Sequence, residues 1–432
     1  MVDLCQFGWD GCIIPTNLKE VCKHLPTWRH LKTLRPTQIY DGTDVHFTWK
    51  YVKDKHGSSF IPAYYKDAFD DDGGYAVIYK GRRAMFRPVS KSDVGAVKLE
   101  KSTHFSEICI KEVRLNITPE EDNAPKPLRE RAYVDEINAI LYEAFLHALL
   151  AKTMEMAGHS STIPRLYEIV AHAGGAQNPV SPTEFESIWI TMEFLEGSTL
   201  EKFLAHNLKT GEFKHNEKLL LDICIQLAAY LQILQEKARF NHRDLKINNI
   251  FVRKHSANWT RRITIPDFGP WICTNDIVLI DFGFSCIACG SDCTNPRATL
   301  VGAGSWFEST HDCFKKGRDL CQFLYSVHCT FPLQKYVTTR FFQLLHRAFQ
   351  AQRSPSQQTI DLMYGVKSDG EPLHNTGPLP SSIDFNDGIY IFLRENDIDV
   401  PGCEPKVFLK LLREFLGDKA LDPGENLKPI KS

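Results

Sequence analysis

Long apolar runs are missing from this chain. No stretch of 18 or more apolar residues occurs among its 432 residues, so no helical membrane span is expected. An excess of one charge is missing as well. Lys and Arg total 51 against 53 Asp and Glu, a formal net charge of −2. No basic field therefore points to nucleic acid or to an anionic membrane surface. Residues 1–16 lack a basic start and an apolar block, with Asp3, Gln6 and Asp10 set among the apolar positions, so they do not read as a secretory signal. The 13 cysteines are an odd number, unlike the even count of a full disulfide framework. They are expected to be thiols of a reducing compartment, cytosol or nucleus. No repeat of fixed period and no long low-complexity tract is found.

What is present is an ordinary globular composition, 43% apolar and 24% charged. The length suits one large domain of two parts, or two to three small ones. Residues 1–60, rich in Trp, His, Cys and Lys, read as an N-terminal extension. Strand-like runs follow at 75–79 and 95–100, the first after the acidic, glycine-containing stretch 70–74. The Pro-rich, acidic segment 118–128 reads as a loop insertion. Residues 133–154 carry apolar positions at helical spacing (Ile137, Ile140, Leu141, Ala144, Ala148) with no Pro or Gly. Residues 188–194 suggest a buried strand closed by Glu196-Gly197-Ser198. A second strong helix spans 218–237, followed by short β-branched runs at 250–252 and 277–280. Helical segments dominate later, as at 337–351 and 406–416. A strand-rich part followed by a helix-rich part is an α+β pattern.

The densest chemistry lies in His242-Arg243-Asp244-Leu245-Lys246-Ile247-Asn248-Asn249, between a long helix and a short strand. It fits the pattern H-R-D-L-x-x-x-N, and here the chain resembles the eukaryotic-type protein kinase family. The resemblance implies a bilobal fold: a small β-rich lobe with one main helix over about 61–193, and a larger helical lobe over 194–432. It implies ATP and Mg²⁺ as cofactors, with ATP between the lobes, and a protein as substrate. Phosphoryl transfer through a loose transition state needs positioning and charge neutralisation more than covalent help. Asp244 would accept the proton of the substrate hydroxyl, Asn249 would reach a Mg²⁺ ion, and Lys246 would face the γ-phosphate, as in Ser/Thr-type members. His242 and Arg243 would hold the loop.

The run Val278-Leu279-Ile280-Asp281-Phe282-Gly283 supplies the second motif, with Asp281 as a Mg²⁺ ligand. Asp267-Phe268-Gly269 is a decoy, flanked by Pro266 and Pro270 on a poor strand. Choosing Asp281 requires 254–275 to be an insertion in the hairpin between the motifs. The Ile-Asp-Phe-Gly-Phe-Ser run is similar to kinases of large DNA viruses. Lys98, in Gly95-Ala-Val-Lys98, resembles the lysine that pairs the α- and β-phosphates and a helix glutamate. For that glutamate Glu143 is favoured over Glu136; Glu112 has the better spacing but no helix around it. The stretch Gly73-Gly74-Tyr75-Ala76-Val77-Ile78 resembles the tail of a glycine-rich loop. Aligned on Ile78, its three glycine positions hold Asp71, Gly73 and Ala76, which departs from the family pattern. Ile190 to Gly197 looks like the last small-lobe strand and the hinge, with Met192 gating a rear pocket and Glu193 and Leu195 offering backbone to adenine. Asp319 resembles the aspartate that braces the catalytic loop. Phe307-Glu308 stands weakly for Ala-Pro-Glu. A phosphorylated Thr294, Thr299, Ser305 or Thr310 would have Arg243 as a partner.

Three rival readings remain. A pseudokinase scaffold is favoured by the altered glycine loop and opposed by the set Lys98, Asp244, Asn249 and Asp281. A small-molecule kinase of related fold is opposed by Lys246 and the His-Arg-Asp-Leu form. A structural zinc module would use Cys286, Cys289 and Cys293, with Cys273 upstream, although a second close pair and a neighbouring histidine are missing.

Overall fold

The computed structural model describes residues 39–40, 46–47, 63–64, 76–91, 97–172, 183, 186–287, 314–350 and 400–417. Gly73, Asp71, Phe307-Glu308, Cys289, Cys293 and the four candidate phosphorylation positions lie outside them, as does most of 1–60. The chain divides into two compact units. Ile163–Leu195 belongs with the strand-rich unit, and Thr153–Thr162 and the residues from Glu196 onward belong with the helical one.

The strand-rich unit contains β1 (Ile39–Tyr40), β2 (His46–Phe47), β3 (Ala63–Tyr64), β4 (Ala76–Lys91) and β5 (Val97–Arg114), then α1 (Pro119–Asp122) and α2 (Lys126–Met156), then β6 (Leu166–His172) and β7 (Ser187–Glu193). Its antiparallel sheet has the order β1-β2-β4-β5-β7-β6, with β3 also on β4. The two runs expected at 75–79 and 95–100 belong to one long hairpin, from Ala76↔Val113 to Lys91↔Val97. Register shifts near Ala84 and Pro88 mark bulges along it. Alternation along β5 sorts its residues by face. Ile108 and Ile110 are buried on one face with Tyr167 and Trp189 packed beside them, and Cys109 and Lys111 point to the other.

The loop expected at 118–128 is instead mostly helical. Thr118 accepts from Glu121 N at 3.2 Å, and Glu121 accepts from Thr118 N at 2.9 Å, a reciprocal capping box. Pro119 occupies the first turn of α1, where its missing N–H costs no helical bond. Prolines and acids therefore mark helix starts here rather than a loop, and α2 begins at Lys126.

The helical unit contains β8 (Gly197–Thr199), α3 (Leu200–Asn207), α4 (Phe213–Ala238), β9 (Phe240–Asn241), β10 (Ile250–Arg253), β11 (Arg261–Ile265), β12 (Gly269–Cys273), β13 (Asp276–Leu279) and β14 (Cys286–Ile287). It continues with α5 (Arg318–Thr330), α6 (Thr339–Gln350) and α7 (Pro405–Leu416). α4 is the one described helix long and apolar enough to cross a bilayer by composition, and it is the core helix of this unit, mostly buried. Ile223, Leu227, Tyr230, Leu231 and Leu234 are fully buried, and α7, whose Phe408 and Leu412 are buried, packs on α4. β13-β10-β8 form a small antiparallel sheet, and 254–275 form an insertion carrying the separate hairpin β11–β12.

Gly317, before α5, has φ 72° in the left-handed region, and a Cβ there would meet the Val400 carbonyl oxygen at 2.1 Å. Gly317→Ala is expected to lower stability by at least about 2 kcal/mol, read from the urea midpoint. An unchanged midpoint would show that the Val400 segment yields freely.

Candidate active site

In the strand-rich unit the lysine–glutamate pair is made by Lys111, not Lys98. Lys111 Nζ lies 2.6 Å from Glu143 Oε1, with both side chains 14% exposed. Lys98 sits opposite Ser90 near the start of β5, whereas Lys111 sits opposite Ile78 near its end. At about 3.3 Å per strand residue, that separates the two by on the order of 40 Å. The short run around Lys98 has the right residue types but lies at the wrong end of the hairpin. The signal for Lys111 was Ile108-Cys109-Ile110-Lys111, a β-branched run ending in lysine just ahead of the helix.

The three glutamates weighed beside it occupy different places. Glu143 meets Lys111. Glu136, two turns earlier in α2, accepts from Asn116 N at 3.3 Å, and burial pushes its pKa upward. Glu112 points to the opposite sheet face, where it accepts from Ser187 Oγ at 2.8 Å and Trp189 Nε1 at 3.1 Å. Residues directly opposite in a ladder share a face, so Ile78, Ala76 and Met192 lie on the Lys111 face. Cys109 is there too, and burial pushes its thiol up to about 12, well away from reactive thiolates. Glu193 ends β7, its N–H donating to Arg165 O at 2.8 Å, and Leu195 follows two residues on.

In the helical unit the 242–249 loop is held from below by Asp319. Its carboxylate accepts from His242 N and Arg243 N, both at 2.9 Å, and from Asn241 Nδ2 at 3.1 Å. The brace implied by the resemblance is therefore present. Asn241, which belongs to no sequence motif, also donates to Lys315 O at 3.0 Å and accepts from Lys315 N at 2.6 Å. Nothing but its place before His242 marked it out. Arg243 takes φ 65°, a left-handed value held where Asp319 fixes the amides of His242 and Arg243.

Within the loop, Asn249 Nδ2 donates to Asp244 O and to Asp244 Oδ2, both at 2.8 Å, while Lys246 Nζ stands 3.5 Å from the same Oδ2. Asp244 Oδ1 is buried without a hydrogen-bond partner. Burial pushes the Asp244 pKa upward and the nearby Asp281 charge adds to this, whereas Lys246, His242 and Asn249 oppose it.

Asp281 is brought to this loop by backbone. β10 pairs with β13, Ile280 N donates to Asn249 O at 3.1 Å, and His242 Nε2 lies 3.0 Å from Ile280 O. Phe282 is buried against the His242 ring at 5.4 Å, and β14 pairs with β9. Asp281 itself has φ 63°. The decoy Asp267 lies instead in the turn between β11 and β12, where it meets Lys406 at 3.0 Å.

Asn249 uses its amide nitrogen on Asp244, which leaves its Oδ1 to serve as a metal donor. With the Asp281 carboxylate this is an all-oxygen set, the hard donors Mg²⁺ takes. The orphaned Asp244 Oδ1 fits an acceptor awaiting a hydroxyl. Cys273 and Cys286 are buried, and no group of three or more Cys, His, Asp or Glu suited to a metal ion is found among the described residues.

Replacing Asp319 by Ala would leave two backbone amides and the Asn241 side chain buried without their acceptor. A loss of about 2–4 kcal/mol is expected in urea unfolding. A midpoint equal to wild type would show that the brace carries no stability.

A family model described as protein tyrosine and serine/threonine kinase matches residues 142–276. That stretch holds Glu143, Asp244, Lys246 and Asn249 and stops before Asp281. Serine/threonine-protein kinase CLA4 of Candida albicans is 29% identical over 119 residues, covering 28% of this chain. The same protein of strain SC5314 gives the same values. The chain spans about 10% of the length of these curated relatives. Among solved structures, the autoinhibited serine kinase domain of the giant muscle protein titin is similar at a TM-score of 0.32 and 10% identity, over 83% of this chain and 82% of that one. The matched sequence falls on the stretch that presents Glu143, Asp244 and Asn249, and over that stretch the chain is similar to protein kinases.

Proposed function

We propose that this chain is an ATP-dependent protein kinase that transfers the γ-phosphate to Ser or Thr hydroxyls of protein substrates. The observation that carries this reading is the Asp244 carboxylate: one oxygen is engaged by Asn249 and Lys246, and the other is buried and unpartnered. A base so held has one lone pair reserved for an incoming hydroxyl. Burial makes Asp244 more basic than an exposed carboxylate, while Lys246 and Asn249 favour its ionised form. ATP bound with Mg²⁺ would supply the transferable phosphoryl group and neutralise its charge. Asn249 and Asp281 would hold the metal, and Lys246 would face the phosphoryl oxygens. Lys111, kept in place by Glu143, would take the phosphate role first given to Lys98. Gly73, Ala76, Ile78 and the backbone of Glu193 and Leu195 would contact the rest of the nucleotide.

A second reading, a pseudokinase that binds partners without turnover, is favoured by Asp71 and Ala76 at two glycine positions of the phosphate loop. Transfer of label from ATP to a generic protein substrate separates the two. Wild type should label Ser or Thr, and Asp244→Asn should lose about 100-fold or more. Lys111→Met should fall comparably, with Lys98→Met close to wild type. Folded wild-type protein that binds ATP and transfers nothing would establish the pseudokinase.

A further inference from the structure

The hairpin β10–β13 carries both proposed metal donors. Asn249 immediately precedes β10, and Asp281 follows β13 by two residues. Its last pair is Arg253↔Asp276. A tight turn joining that pair would set the register of the two strands. This chain has residues 254–275 there instead, and a long insert, unlike a tight turn, does not itself fix the register. A slip of one residue would move Asp281 by about 3.3 Å and turn alternate side chains to the other face.

The structure supplies a substitute restraint. Asp222, on α4 and 2% exposed, has a role in neither proposed chemistry nor the brace. Its carboxylate accepts six hydrogen bonds at 2.8–3.0 Å, from Gln226 Nε2, Trp271 Nε1, Thr274 N and Oγ1, and Asn275 N and Nδ2. Five of these donors belong to the last residues of the insert before β13. Gln226 also binds Asn275 O at 2.9 Å, so backbone donor and acceptor are both gripped. On the next residue, Asp276 meets His255 at 2.8 Å, Arg261 at 3.2 Å and Arg253 at 3.6 Å, tying the two ends of the insert together.

We propose that Asp222 is a positioning residue: by clasping 271–275 to α4 it replaces a tight turn, sets the register of β10 on β13, and so sets where Asn249 and Asp281 stand. The link to metal binding rests on the kinase reading, and the clasp itself does not.

The test uses Asp222→Asn in the full chain, with two readouts. Hydrogen exchange should speed up at the amides of β10 and β13 while α5 stays protected. Mn²⁺ affinity, read by electron paramagnetic resonance with a saturating non-hydrolysable ATP analogue, should fall on the order of tenfold. Replacing 254–275 with Asn-Gly in the Asp222→Asn background should restore both, because the turn then does the work of the clasp. Should Asp222→Asn not fold, Thr274→Val removes a single donor from an exposed residue and shifts both readouts the same way. Unchanged exchange at β10 and β13 in folded Asp222→Asn would overturn the proposal, as would a turn variant that restores neither readout. Wild type that binds no Mn²⁺ with nucleotide would sink the kinase reading instead, and the exchange data would still decide the clasp.

Discussion

The carboxylate of Asp319 sits in the first turn of α5 and receives the amides of His242 and Arg243 in the buried interior. That contact fixes where the loop carrying Asp244 begins. The loop it holds is irregular, with Arg243 in the left-handed region, and a buried irregular loop must find partners for its N–H groups outside any ladder. An anion at a helix N-terminus is also favoured by the helix dipole, so the position suits the charge. Asn241 and the crowded backbone at Gly317 fix the approach of α5, since Asn241 binds Lys315 on both sides and Val400 N donates to Lys316 O at 2.7 Å.

Upon this brace two carboxylates are gathered with unlike surroundings. Asp244 is nearly dry and shares one oxygen with Asn249 and Lys246, while Asp281 stands at the end of a strand that backbone bonds tie to the same loop. Burial first, and repulsion from Asp281 after it, raise the basicity of Asp244.

The insertion at 254–275 shows how a fold absorbs added chain without losing the hairpin it interrupts. Its core side chains, Ile263, Ile265, Phe268 and Cys273, are buried, and its tip is touched by α7 through Arg413 to Asp267 O at 2.8 Å. The surface pair Lys406–Asp267 adds little, because both groups are well exposed. Most of the anchoring falls to Asp222 and Asp276, where burial makes each hydrogen bond harder to replace by water.

The sequence by itself determined the chemistry-bearing segments whose spacing is local. Asp244, Lys246 and Asn249 lie within one short loop, and 278–283 reads as a strand running into Asp-Phe-Gly. Those patterns survive any tertiary arrangement, because the loop and the strand are each only a few residues long. The α+β order and the helices expected at 218–237 and 406–416, found at Phe213–Ala238 and Pro405–Leu416, were legible from periodicity for the same reason. The partner of Glu143 was not legible, since strand pairing joins residues by register rather than by sequence distance. A run of strand-forming residues ending in lysine occurs at both Lys98 and Lys111, and only the long β4–β5 hairpin, with α2 laid on one of its faces, decided that Lys111 meets the glutamate. The roles of Asp222 and Asn241 were hidden likewise. A polar residue within a helix or ahead of a loop is ordinary in sequence, and it takes on meaning only when folding buries it against the backbone of a distant segment.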